Sequence, residues 1–322
     1  MIDEKITIAD IAKEAGVGVG TVSRVLNNST HVSASTREKV LDVIKARQYT
    51  PNIVASKLAR KDAVETSVGL LLPDLSNHYF FEIFESIYHK FRGLGIDVIL
   101  FNYEKHNPKV IKKILDAQVS ALIIFAFGLD DTERELLQQW HVKYLYVDYK
   151  KNDEHSIFTN NISGGSLAAN YLIQKRAKRV CYISVTPSSI ATNERFAGFK
   201  EGLKKLGYTG EVGLYESTLS ESNGYHVGLQ LIKDNLYDGV FCYCDDIALG
   251  VLKAVRESNS SIKVIGFDGV HATRYLKLST VSQGPQEIGT MAVDILMKIM
   301  KSDTSVPVVS HEITPYVIDY NS

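Results

Sequence analysis

Arg24 lies in the run Val19-Gly-Thr21-Val-Ser23-Arg24-Val-Leu-Asn27, and its planar guanidinium can pair with O6 and N7 of a guanine in the major groove. Val19 can meet a thymine methyl. The hydroxyls and amide of Thr21, Ser23, Asn27, Ser33 and Thr36 suit phosphate oxygens, contacts that position a protein on a duplex without reading its sequence. Asp, Asn and Arg side chains can hold vicinal sugar hydroxyls through bidentate hydrogen bonds, and aromatic rings such as those of Tyr79 and Phe80 can stack on a sugar ring. Covalent chemistry is not visible: there is no G-x-x-x-x-G-K-[ST], no H-E-x-x-H and no G-x-S-x-G. Gly16-Val-Gly18-Val-Gly20 has the spacing G-x-G-x-G after a helical pattern, whereas a dinucleotide fingerprint needs G-x-G-x-x-G after a strand. The nine His are scattered singly, and Cys181, Cys242 and Cys244 form no C-x-x-C pair. Neither a metal nor a cofactor is expected, and the chain reads as a binding protein, not an enzyme.

The elements that must carry Arg24 are two short helices. Ile8, Ile11, Ala12 and Ala15 keep helical spacing, Gly16 breaks it, and Val19, Val22, Val25 and Leu26 resume it. Two helices joined by a Gly-containing turn can push the second into a major groove. Gly18 falls at the cap of that helix, and Gly20 lies inside it, where it costs up to about 1 kcal/mol relative to Ala. Ser35 with Glu38 predicts a capping box for a third helix, which ends before Pro51. The segment 52–61 is too short to be stable as an isolated helix and reads as a linker that folds when something holds it. The whole chain has a net charge of -1, yet residues 5–61 hold six Lys and four Arg against Asp10, Glu14, Glu38 and Asp42, a net of +6. A basic head on an acidic body suits a head that meets phosphate.

From residue 67 the texture changes. Short apolar runs at 68–72, 98–101, 121–125, 144–147, 180–184, 239–243 and 264–267 alternate with helical patterns at 80–94, 109–117, 132–139, 164–174, 195–206, 225–233 and 247–257. That alternation predicts parallel sheets in doubly wound layers, and roughly 255 residues of it is better divided between two similar lobes than placed in one. Cys242 and Cys244 should share a face of their strand and serve packing. No signal peptide is read at the N-terminus, and no apolar run reaches the ~20 residues that span a bilayer, so a cytoplasmic, nucleoid-associated protein without membrane contact is expected.

The chain resembles the lac/gal repressor family. In the head the resemblance rests on Thr7-Ile-Ala-Asp-Ile-Ala12, Ala15-Gly16-Val17, Thr21 to Asn27, Val32-Ser33, Thr36 to Val40 and Tyr49-x-Pro51-Asn52-x-x-Ala55-x-x-Leu58. In the body it rests on Pro73-Asp74-x-Ser76-Asn77-x-Tyr79-Phe80, Asn161-x-x-Gly164-Gly165, Arg195-x-x-Gly198, Asp245-Asp246-x-Ala248-x-Gly250, Gly266-Phe-Asp268 and Ser282-Gln283. The resemblance implies an all-α helix-turn-helix head at 1–50, a hinge helix and linker at 51–62, and an α/β core of two doubly wound, periplasmic-binding-protein-like lobes at 63–159 plus 285–322 and at 160–284. It implies a homodimer or tetramer on a double-stranded, inverted-repeat operator, controlled by a small molecule between the lobes. On that reading DNA is met by Thr7, Val19, Gly20, Thr21, Ser23, Arg24, Asn27, His31, Ser33, Thr36, Tyr49, Asn52, Ala55 and Leu58, the last wedging between base steps from the minor groove. The effector is met by Asp74, Tyr79, Phe80, Asp148, Asn161, Arg195, Asp245, Asp246, Asp268 and Gln283. Asp245 stands where the family commonly has Asn and Gly269 where it commonly has a second Asp, which leaves the ligand open. A sugar or sugar phosphate that releases DNA is the expected effector. A phosphoprotein or nucleobase corepressor, and a sugar-binding or sugar-modifying protein with an incidental head, stay as alternatives.

Overall fold

In the first unit, spanning Met1–Glu65, the computed structural model describes residues 8–26 and 32–47, and in the second it describes 67–73, 75–103, 109–302 and 307–320. The first unit holds α1 (Ile8–Ala15), α2 (Val19–Leu26) and α3 (Ala34–Ala46). Gly16 at φ +66 ends α1, with Val17 N donating back to the Ala12 carbonyl at 2.9 Å, a left-handed stop that glycine adopts without strain. Ile11, Ala12, Ala15, Val22, Val25 and Val40 close a small core. The cap of α3 differs from expectation. The helix starts earlier, with the Thr36 amide donating to Ser33 Oγ at 3.3 Å and the two hydroxyls 2.8 Å apart. Ser33, not Ser35, therefore satisfies the free amides of the first turn.

The second unit contains two parallel sheets of six strands. In chain order its elements are β1 (Ser67–Leu72), α4 (His78–Gly93), β2 (Asp97–Asn102), α5 (Lys109–Ala117), β3 (Ala121–Phe125), α6 (Asp131–Gln139), β4 (Lys143–Val147), β5 (Ser156–Thr159), α7 (Asn161–Gln174), β6 (Val180–Val185), α8 (Ile190–Lys205), β7 (Gly213–Ser217), α9 (Glu221–Asp234), β8 (Gly239–Cys242), α10 (Asp245–Glu257), β9 (Lys263–Asp268), α11 (His271–Leu276), β10 (Thr280–Ser282), α12 (Pro285–Lys301), β11 (Ser310–Ile313) and β12 (Tyr316–Ile318). The sheets run β11-β5-β4-β3-β1-β2 and β12-β10-β9-β8-β6-β7, parallel throughout except for the β10–β12 pair. The apolar runs are unbroken because both faces are covered. In β1, Val68, Leu70 and Leu72 face a core shared with α4 and α12, while Leu71 faces one shared with α5 and α6.

The chain passes between the sheets three times, after β5, after β10 and after β11. The last passage corrects the expected boundary: the resemblance places 285–322 whole in the first lobe, but β12 pairs with β10 in the second sheet, Val281 opposite Val317. Three residues of edge strand carry too little periodicity to announce that. The core helices α7, α8 and α9 begin three to five residues before their apolar patterns, because Asn160, Ser189 and Ser220 cap them through side-chain acceptance from Ser163, Thr192 and Asn223 amides. The sequence patterns do not announce the strands β5, β7, β10, β11 and β12 or the helices α11 and α12.

Helices α7 and α8 touch backbone to backbone. A Cβ on Gly165 would overlap the Arg195 carbonyl oxygen, and one on Gly198 would overlap the Ile162 carbonyl oxygen. This contact sets Asn161 and Arg195, on separate helices, side by side. Gly198→Ala should therefore lower the unfolding free energy of the core by about 1–3 kcal/mol or more, read from the urea midpoint. Gly93→Ala, with open space around its Cβ, should change it by no more than about 1 kcal/mol.

Candidate functional site

On α2 the core takes Val22 and Val25, which leaves Val19 exposed at 46% together with Gly20 and Arg24, and Thr21 and Ser23 half-buried. Thr21 N donates to the Gly18 carbonyl at 2.8 Å, so Gly18 is the cap residue. The outward face of this helix offers one guanidinium, two hydroxyls and one apolar tip. Ser33, exposed, and Thr36, half-buried, add hydroxyls at the start of α3.

In the second unit a cavity of 640 Å³ opens at the C-terminal ends of both sheets. Its position follows from strand order. In the first sheet the winding reverses between β1 and β3, in the second between β6 and β8, and such reversals leave a crevice where ligands bind. One wall comes from Phe80 of α4, the loops at 126–128 and 148–150 and Thr159; the other from Asn161, residues 189–191, Glu194 and Tyr243. The backbone turns sharply here, with positive φ at Ala126 (63°), Asp148 (58°) and Asp268 (123°), conformations that cost energy for residues with a side chain and concentrate at functional sites.

Arg195 is the hub. It is 3% exposed. Its Nε donates to Asn161 Oδ1 at 2.9 Å and Nη1 to the Tyr243 carbonyl at 2.7 Å. Nη1 also lies 3.6 Å from Asp268 Oδ1, and the guanidinium carbon sits 3.7 Å from the Phe267 ring centre and 4.6 Å from that of Tyr243. Gln283 Nε2 donates to Asp268 Oδ1 at 2.8 Å. Burial pushes the Asp148 carboxyl up to about 6, with Arg195 and the Tyr79 hydroxyl pulling it back. Burial raises Asp268 as well, and Arg195 opposes that rise. Gln283 Oε1 is buried without a hydrogen-bond partner, and the Tyr79 hydroxyl is turned to Asp148 and Thr159.

The lobes are also tied directly. His78 Nδ1 of α4 lies 2.5 Å from Asp246 Oδ1 of α10. One turn on, Glu82 accepts from the His271 amide at 2.6 Å and from Gln286 Nε2 at 3.0 Å.

Residues 7–52 match the family of bacterial regulatory proteins, lacI family, and residues 169–319 match a periplasmic binding protein-like domain. The HTH-type transcriptional regulator RegA of Clostridium saccharobutylicum is 32% identical over 95% of this chain and 97% of its own length. The HTH-type transcriptional repressor PurR of Actinobacillus pleuropneumoniae is 28% identical over 92% of each. A crystal structure of the lac repressor dimer bound to operator and the anti-inducer ONPF superposes with TM-score 0.71 at 25% identity, covering 98% of each chain. The chain belongs to the lac repressor family of transcriptional regulators. Its relatives regulate transcription and are not enzymes. Among the described residues no helix is long and apolar enough to cross a membrane.

Set against this lac-repressor-family core, the expected effector residues divide. Phe80, Asp148 and Asn161 line the cavity. Arg195, Asp268 and Gln283 form a bonded group behind Asn161 and Tyr243. Tyr79 does not offer a ring for stacking: it is 4% exposed, its ring lies in the core of the first sheet, and its hydroxyl faces Asp148. Asp245 is spent elsewhere, accepting from the Gly269 and Val270 amides at 2.7 and 3.0 Å and from Thr280 Oγ1 at 2.7 Å, which pins the loop carrying Asp268. Asp246 is spent on His78. Thr7, Asn27, His31, Tyr49, Asn52, Ala55, Leu58 and Asp74 lie outside the described residues.

Sequence reading missed Tyr103, Phe127, Tyr149, Glu194 and Tyr243 in the walls. For Tyr243 a signal existed: Cys242 and Cys244 both enter the core beneath the sheet, so the residue between them must point the other way. All three cysteines are buried and free.

The Asp148 carboxyl has a folded-state value of about 6 against an ordinary 3.8, so the folded core binds its proton more tightly than the unfolded chain. That stabilisation is present at acid pH and lost as pH rises through about 6. Asp148→Asn has no charge to bury. Its urea midpoint, compared with the unsubstituted protein across a pH series, should pull ahead as pH rises through about 6; a gap that closes instead contradicts the burial argument.

Proposed function

We propose that the protein represses carbohydrate-utilisation genes by binding an inverted-repeat operator as a dimer, and that a sugar or sugar phosphate in the cavity between the lobes releases it. The observation that carries this reading is Asn161, held by Arg195 in one wall of the cavity, with Asp148 and Thr159 in the other. Such a group can grip vicinal hydroxyls only when both lobes contribute, so a ligand that prefers the gripped arrangement shifts the lobes by its difference in affinity for the two states. Dimerisation is supported by α4, whose Phe81 and Tyr88 are 46% and 41% exposed and stand seven residues apart on one stripe. A twofold dimer requires a twofold-related operator. Kinship with PurR repressors at 28% identity and the aromatic lining favour a nucleobase corepressor as the second reading.

On DNA, Val19 and Arg24 would read bases while Thr21, Ser23, Ser33 and Thr36 hold phosphates. Gly20 presents no side chain, so discrimination falls on few residues and on how easily the operator deforms. The hinge segment at 52–61, with Leu58 as wedge, completes this reading.

Footprinting should find an inverted-repeat site whose affinity falls about a thousandfold or more between low and moderate salt; affinity that ignores salt removes the phosphate contacts from the reading. Asn161→Ala should hold the operator but lose at least tenfold in response to effector, about 1.4 kcal/mol, measured as release of labelled operator.

A further inference from the structure

Resting on that effector reading, we propose that the ligand is an uncharged carbohydrate of at least two linked rings. One ring lies at the Asp148–Asn161 end, and the next lies against an aromatic wall built from Tyr103, Phe127 and Tyr149. The first argument is room. The cavity measures 640 Å³, which at about 30 Å³ per molecule is the volume of roughly twenty waters, whereas one hexose brings about a dozen non-hydrogen atoms and leaves much of that space unfilled.

The second is the character of the unfilled end. Tyr103 stacks on Phe127 with ring centres 3.8 Å apart and planes 12° from parallel. Its hydroxyl is turned away, 3.4 Å from Glu133 Oε2, and Glu133 is itself fixed by the cap of α6, where it accepts from the Asp130 amide at 3.0 Å. Tyr149 rests on Tyr146 with ring centres 5.6 Å apart. The wall is therefore held in place before any ligand arrives, and with the Tyr103 hydroxyl engaged it offers flat apolar surface. The C–H face of a pyranose fits such a surface while its hydroxyl edge remains free to bond.

The third is charge. The carboxylates Asp148, Glu194 and Glu312 line the cavity against the single amine of Lys150, and the Arg195 charge is already answered by Asp268. A phosphate would give up its hydration to enter a wall of its own sign. Neutral hydroxyls, which donate, find acceptors in Asp148, Glu194 and Glu312.

Isothermal titration of the full chain tests this with the neutral disaccharides maltose, cellobiose, lactose, sucrose and melibiose and the trisaccharide maltotriose, beside glucose, galactose, glucose 6-phosphate and hypoxanthine. At least one neutral di- or trisaccharide should bind about tenfold or more tighter than its component monosaccharide, and Tyr103→Ala should remove most of that advantage. Phe127→Leu, which keeps volume and loses the flat ring, guards against a folding failure in the first variant and should weaken the same ligand. A monosaccharide, its phosphate or hypoxanthine binding as tightly as every neutral oligosaccharide overturns the proposal and leaves the effector cleft standing, and so does silence from all the neutral oligosaccharides. A bound saccharide whose affinity neither Tyr103→Ala nor Asn161→Ala alters overturns the cleft reading itself.

Discussion

A guanidinium keeps its proton under any condition in which this protein folds, and Arg195 is buried. An isolated charge moved from water into a protein interior costs far more than a domain's net stability, so everything near Arg195 is arranged to answer it. The answers come from four groups: the first residue of α7, the carbonyl after β8, and the terminal carboxylate and the Phe267 ring of β9. None can drift without exposing the others to an unpaired charge. The glycine contact of α7 on α8, the bonds of Asp245 to the loop after β9 and the turn at Asp268 all follow from holding that constellation together.

The same constraint explains why the cavity wall is poised. With Arg195 hydrogen-bonded inside the second lobe, Asp148 is left half-buried across the crevice, and burial shifts it toward its protonated form although Arg195 opposes that shift. The first lobe thus presents an acceptor without its own cation. A ligand with several donors is the economical partner for such a group, and its grip on both lobes competes with contacts they already share at His78–Asp246 and Glu82–His271.

Much of this was legible in the residues. Apolar runs bounded by turn residues located seven of the twelve strands, because a strand covered on both faces needs no polar alternation. Those missed are short or half-exposed: β7 reads Gly-Leu-Tyr-Glu-Ser and β11 reads Ser-His-Glu-Ile, which carry little apolar period. The family resemblance, with residue type, pointed to Asp148, Asn161, Arg195 and Asp268, but neither could separate Asp245 and Asp246, adjacent carboxylates at one helix start that each serve a structural bond. The aromatic wall was illegible for another reason. Tyr103, Phe127 and Tyr149 follow three different strands, and only the order β4-β3-β1-β2 makes those strand ends neighbours.

The three passages between the sheets have a mechanical meaning. Two bodies joined by one strand can swing and twist in any direction, but three strands side by side act as a strip. Asn160 ties the strip internally, through its amide to the Ile313 carbonyl at 3.0 Å and its side chain to Glu312 at 2.9 Å. Such a strip bends about an axis across its width and resists torsion and shear. The lobes are thereby confined to close to a single degree of freedom, so the work done by a ligand in the crevice is delivered along one path instead of being dispersed over many.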